Sequence, residues 1–134
     1  MTDRSGRSSQ PDAAVAAADH TLANGGGTFD AVTLAPVYPT SGYAVGVYPG
    51  TWRTVRVYAG ADSHPAERAD LSRAIKACAA DIGAAYVGTW THDGVVDVDP
   101  ITIVETHAEA LALARANGQH AIYSFAEQRT YEID

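Results

Sequence analysis

A chain of 134 residues can bury one real core and leaves no room for two independent ones. Its hydrophobic fraction of 46%, resting heavily on Ala and Val, is that of a globular domain, and its net charge of −7 repels phosphate backbones, which argues against direct nucleic-acid binding. No apolar run approaches the roughly 20 residues that cross a bilayer, residues 1–27 lack the apolar stretch of a secretory signal, and the single cysteine, Cys78, can neither close an internal disulfide nor build a zinc site; the expectation is a cytoplasmic protein without membrane contact, held together by packing.

Residues 1–11 are rich in Ser, Arg, Asp and Gln and read as a flexible tail, while residues 13–23 have the composition of a short helix that Asn24 and the glycines Gly25, Gly26 and Gly27 end. The expected division is a flexible N-terminal tail over 1–27 and a single domain over 28–134. Residues 28–34 suit a strand with Phe29, Ala31 and Val32 inward, before Pro36, Pro39, Ser41 and Gly42 break regular structure. Tyr43, Val45 and Val47 then alternate with Ala44, Gly46 and Tyr48, the Pro49-Gly50 pair makes a turn, and residues 55–58 return as a second strand, which predicts a hairpin. After a loop over 60–65, Pro65 suits a first helical turn and Glu67 complements the helix dipole. Leu71, Ile75, Cys78, Ala79 and Ile82 share one helical face that Gly83 ends, so Cys78 is a small core residue and not a reactive thiol.

Residues 85–90 form the next strand, followed by the turn Thr91-His92-Asp93-Gly94 and a strand over 95–98, with Asp-Gly as a strong hairpin signal. Asp99-Pro100 marks a bend, after which 101–104 continue that strand or start another. Thr106 and Glu109 stand at the spacing of a capping box and open a helix carrying Ala110, Leu111, Leu113 and Ala114, which Asn117-Gly118 closes. Residues 121–125 and 129–133 alternate apolar and polar side chains as a last strand pair. The order ββ-α-ββ(β)-α-ββ predicts an α+β fold, a two-layer sandwich of a mostly antiparallel sheet with two helices on one face.

Acidity concentrates toward the end of the chain: residues 93–134 hold eight acidic and two basic groups. Such a surface steers a basic protein partner, although solubilisation alone is the plainer account. There is no glycine-rich phosphate loop with a following Lys, no Gly-x-Ser-x-Gly elbow, no pair of histidines at helical spacing and no calcium loop, so neither cofactor nor metal is expected. The catalytic candidates are His92 and Asp93 in the turn with Asp97 on the next strand, because a histidine oriented by a carboxylate acts as a general base. Asp97 and Asp99, two apart, point to one face of a strand. The plainer account makes His92-Asp93-Gly94 turn chemistry and leaves the two aspartates in solvent. Tyr and Trp outnumber Phe, and Tyr48 and Trp52 flank a turn where burial is least assured. The expected binding residues are therefore Tyr48, Trp52, Asp97, Asp99, Glu105 and Glu109, while Tyr86 and Trp90, in register on one strand, are expected to pack on the sheet.

The string Tyr86-Val87-Gly88-Thr89-Trp90, the Asp93-Gly94 turn, Val96-Asp97-Val98, the helix from Glu109 to the Asn117-Gly118-Gln119 junction, and the opening Gly42-Tyr43-Ala44-Val45 together resemble small accessory proteins of bacteriophages and mobile genetic elements. The resemblance covers residues 42–132. It implies an intracellular accessory factor that acts on a host or element protein by binding, for example in counter-defence, and it carries over no catalytic residue. Two classes follow: a non-enzymatic protein-binding factor with a basic partner, and a small hydrolase or nucleotide-processing enzyme built on His92, Asp93 and Asp97. An exposed edge at residues 129–133 would be capped by pairing with a second copy, giving a homodimer.

Overall fold

The computed structural model describes residues 3–57, 65–81 and 83–133, with side chains from Ala13 onward except that of Pro65. In chain order the elements are α1 (Asp3–Asn24), β1 (Gly26–Asp30), β2 (Tyr43–Gly46), β3 (Arg53–Arg56), α2 (Pro65–Asp81), β4 (Tyr86–His92), β5 (Val95–Val104), α3 (His107–Ala116), β6 (Ala121–Ser124) and β7 (Arg129–Glu132). All strands join one antiparallel sheet in the order β1-β4-β5-β2-β6-β7, with β3 also on β5. The loop expected over 60–65, and Tyr58 and Ile82, lie wholly or largely outside the described residues. No helix among the described residues is long and apolar enough to cross a membrane.

β5 organises this sheet. It begins at a two-residue turn in which Asp93 and Gly94 take φ of 49° and 78°, the left-handed pair that the right-handed twist of a hairpin favours, so β4 continues to His92, which pairs with Val95. The strand then runs unbroken through Asp99-Pro100, where the sequence predicts a bend. Pro100 is tolerated because its carbonyl accepts from Val47 N–H at 3.0 Å. In an extended strand N–H and C=O of one residue point the same way, so the donor that proline lacks faces the place where the neighbouring edge breaks.

That break corrects the hairpin expected around Pro49-Gly50. β2 pairs with β5 from Tyr43↔Val104 to Gly46↔Ile101, and β3 pairs with the same side of β5 from Arg53↔Val98 to Arg56↔Val95. The two strands lie end to end and do not pair with each other. Residues 48–52 bulge out opposite Asp99, and the reason is local: Trp52 N–H donates to Asp99 Oδ1 at 2.7 Å, so a side chain takes the place of a ladder bond. Alternating apolar residues signalled two strands correctly, but a Pro-Gly turn can close a hairpin or an excursion, and pairing partners decide which.

Alternation assigns the faces. Val96 and Val98 on β5 and Val87 on β4 are buried with Phe29, Leu71, Ile75 and Cys78 under α1 and α2. Thr102 shares that side of β5 with Val98, and its partner Val45 is buried with Ala110 and Ala114 of α3 and with Ile122. The helices therefore form one layer and the sheet the other, as an α+β two-layer arrangement requires. The layer contains one helix more than expected. The short helix predicted over 13–23 is the second half of α1, and the tail and domain boundaries at 27 and 28 are corrected accordingly: Ala14, Ala17, Ala18 and Thr21 are buried in the core. Small alanines let α1 approach the sheet and α2 closely, Thr21 Oγ1 meets Thr89 Oγ1 at 2.7 Å across that seam, and Arg68 of α2 holds Asp19 through bonds of 2.7 and 2.8 Å. Helical backbone from Asp3 replaces the flexible tail expected over 1–11, whose first two residues lie outside the described ones.

On β1, Phe29 is buried as expected, but Val32 is 80% exposed because the strand ends at Asp30, whose Oδ1 accepts from Val32 and Thr33 N–H in a tight turn. The capping box of α3 is present in both directions: Glu109 N–H donates to Thr106 Oγ1, and Thr106 N–H donates to the Glu109 carboxylate, each at 3.1 Å. Thr106→Ala is expected to lower stability by about 1 kcal/mol, measured as a shift of the urea midpoint with an unchanged slope; a change below a few tenths would show that the cap contributes nothing.

Candidate functional site

The sheet face that carries no helix is concave. Trp90 on β4 and Tyr123 on β6 meet edge to face with ring centroids 5.9 Å apart. Trp90 pairs with Asp97, and Tyr123 pairs through Ala44 with Ile103. On a flat sheet those registers would separate the two Cα atoms by three strand spacings and six residues, roughly 25 Å. Side chains cannot span that gap, so the sheet coils around its open face until the aromatics touch. Two glycines opposite the middle of β5 permit the bend: Gly88 faces Asp99 and Gly46 faces Ile101, and a Cβ on Gly88 would come within 3.1 Å of Ile101 Cγ2. The result is a trough of about 1110 Å³. Ala44, Gly46, Gly88 and Ile101 line its middle, Trp90, Tyr123 and Phe125 its aromatic wall, and His92, Asp97, Asp99 and Glu132 contribute charged groups.

Asp97 and Asp99 share this face, as their spacing predicts. His92 Nε2 lies 2.9 Å from Asp97 Oδ2, and that hydrogen bond together with the aspartate's charge holds the imidazole above its ordinary pKa. Asp93, expected to act beside them, stands 3.6 Å from His92 Nδ1 with a side chain 97% exposed and serves as the turn residue. Asp99 is the unusual group. It is partly buried, burial pushes its carboxyl up to about 6 against the opposing pull of the Trp52 N–H bond, and Asp97 adds a like charge. Among the described residues no basic side chain pairs with it.

The remaining expected binding residues do not converge here. Trp52 directs its ring to the α1 and α2 side of the sheet, where it packs against the core with the Arg53 guanidinium 4.4 Å above it, and only its backbone reaches Asp99. Tyr48 is 37% exposed beside the trough and does not line it. The bulge that carries both is clamped by the segment that follows α3: Gln119 Nε2 donates to the carbonyls of Tyr48 and Gly50, and Asn117 Nδ2 donates to Gly46 O at 3.1 Å. Glu109 is engaged as the α3 cap, and Glu105 lies six residues beyond Asp99, about 20 Å along the strand. The acidic set thus divides between two ends of the sheet.

Trp90, Tyr123 and Tyr38 line the trough, whereas the sequence singles out only Tyr48 and Trp52 among the aromatics for binding. For Trp90 the signal was present: with Val87 and Thr89 facing the helices, Gly88 and Trp90 must face the other way, and Trp90 is 39% exposed. Its expected place on the sheet is correct, but on the open face. Tyr123 could not be assigned, since only coiling brings it to Trp90. Cys78 is buried, and burial with the nearby Asp99 and Asp81 charges pushes its thiol up to about 12, which removes it as a nucleophile. No group of three or more potential metal ligands comes together among the described residues. No family model, curated protein or solved structure matches this chain.

Proposed function

We propose that the protein is a non-enzymatic binding module whose trough receives a basic side chain presented by an extended segment of a protein partner. The observation that carries this reading is Asp99, a partly buried carboxylate without a basic partner among the described residues, placed in one trough with Asp97 and Trp90. Keeping such a group half out of water lowers stability, and an incoming guanidinium or ammonium would reverse that loss while stacking on the indole. The trough exceeds the usual 300–1,000 Å³ of small-molecule pockets, which favours a polypeptide segment, and a net charge of −7 would steer a basic protein toward it. The resemblance over residues 42–132 extends the proposal to an accessory factor of a phage or mobile element that acts on a host protein, counter-defence being one such task.

The test is a titration of the 15N-labelled protein with peptides that alternate arginine and apolar residues, read at the Trp90 indole N–H. Binding is expected to weaken about tenfold on Trp90→Ala or Asp99→Asn, to fall with added salt, and to vanish when citrulline replaces arginine. Equal binding of the citrulline peptide, or indifference to both substitutions, would remove the proposal. A second reading, a small hydrolase or nucleotide-processing enzyme, draws on the His92–Asp97 bond at the trough. It requires turnover that His92→Ala abolishes while peptide binding persists.

A further inference from the structure

The sheet path ends at β7, which pairs with β6 and with no other strand among the described residues. Ile133 N–H donates to His120 O at 2.8 Å, and that bond fixes the alternation along the strand: Arg129 and Tyr131 turn their backbone groups to β6, whereas Thr130 and Glu132 turn theirs outward. Thr130 and Glu132 also line the trough, on the face opposite to Tyr131, which packs with the α3 cluster. β7 is thus a rim of the trough that offers two N–H and two C=O groups, and the exposed Glu132 has no basic partner among the described residues. The sheet's other edges differ. β1 is closed by its own chain, since Val37 N–H donates to Thr28 O and Asp30 N–H to Ala35 O, both at 2.9 Å. β3 begins and ends with an arginine, Arg53 and Arg56, and repels a basic segment.

We propose that a basic, extended segment of the partner adds to β7 as an antiparallel strand, with side chains at alternate positions entering the trough. The inference rests on the reading of the trough as a site for basic side chains and names how the segment that carries them is held. In antiparallel register the residues directly opposite Thr130 and Glu132 exchange backbone bonds with them and share their face. A basic residue opposite Glu132 would stand about 5 Å from it at Cβ, within reach of an ion pair. The backbone bonds hold any extended chain, and the alternating charge selects which chain. Pairing with a second copy fits less well. In a two-fold antiparallel pair, outward-turned residues oppose only outward-turned residues, so Glu132 would meet Glu132, Thr130 or Gln128 and never Arg129. Two chains of net charge −7 also repel each other.

The experiment adds an octapeptide of alternating arginine and valine to the full 15N-labelled chain and follows amide hydrogen exchange at Thr130 and Glu132 together with the Trp90 indole N–H. Saturating peptide is expected to slow exchange at both amides about tenfold or more. N-methylation of the arginines, whose N–H groups would face β7, should abolish binding, while N-methylation of the valines should leave it; the opposite preference would support the same edge with the strand parallel. Thr130→Pro removes an outward donor and no bond to β6, so it should weaken the peptide about tenfold with the urea midpoint nearly unchanged. A shift at the Trp90 indole without protection at Thr130 and Glu132, or equal effects of the two methylations, would overturn strand addition and leave the trough reading standing. No binding at all would remove both. Protection that grows with protein concentration in the absence of peptide would identify a second copy as the occupant and overturn the proposal.

Discussion

Replacing Phe29 with alanine is expected to lower stability by roughly 3–5 kcal/mol. Phe29 is fully buried on β1, pairs with Val87, and meets the His20 ring of α1 edge to face at 5.5 Å, so it joins the first helix to the sheet. Truncation loses the transfer energy of the ring and leaves a cavity that the backbone around it cannot collapse to fill, since a ladder of strand bonds on one side and α1 on the other hold its walls. Val32→Ala, three residues on at an 80% exposed position, should change stability by less than about 0.5 kcal/mol. Urea unfolding of both variants checks the pair. A Phe29→Ala loss below 1 kcal/mol would mean that α1 does not close over the strand, and the corrected domain boundary would fall with it.

Asp99→Asn is expected to stabilise the protein by about 1–3 kcal/mol at pH 7.5 and to change nothing near pH 3. Burial pushes the carboxyl up to about 6 in the fold, above the ordinary carboxylate value of 3.8. The native state therefore holds the proton more tightly than the unfolded chain, and stability falls as pH rises from about 4 through 6. Below the unfolded value both states are protonated and the asparagine has no advantage. Its amide oxygen still accepts from Trp52 N–H, so the bulge keeps its tether. The upper figure follows from two pKa units at 1.36 kcal/mol each, and water entering the trough reduces it. Thermal melts of wild type and variant between pH 3 and 8 provide the measurement. A variant less stable at pH 7.5, or a difference independent of pH, would show that Asp99 is kept by the fold and not by a ligand. Gain of stability with loss of peptide binding is the expected combination, because groups retained at a cost to folding are those that ligands use. His92, raised by its bond to Asp97, also favours the fold on the acid side and loses that contribution as pH rises through its folded pKa; with its ring nearly half exposed, the effect is small.

Much of the architecture was legible residue by residue, because it rests on local rules. Thr106 and Glu109 specify a helix start within four residues, Asp93-Gly94 specifies a hairpin within two, and Leu71, Ile75 and Cys78 declare a buried stripe at helical spacing. The α+β two-layer plan followed from the order of such elements. The common face of Asp97 and Asp99 followed from strand alternation alone.

What only the tertiary structure decided depends on groups far apart in the chain. Alanines in residues 13–23 form a weak helix by themselves, and α1 joins the domain because α2 and β1 supply the surface on which those small side chains lie. Residues 48–52 became a bulge and not a hairpin because Asp99 and Gln119, 47 and 69 positions from their partners Trp52 and Gly50, bind that backbone. The trough itself arises from coiling of the sheet at Gly46 and Gly88, which brings Trp90 to Tyr123 across two intervening strands. Local sequence determines which way each side chain points, but the curvature of a sheet is a collective property of its strands, and it is the curvature that turned a solvent face with two aspartates into a partly dry, acidic cleft.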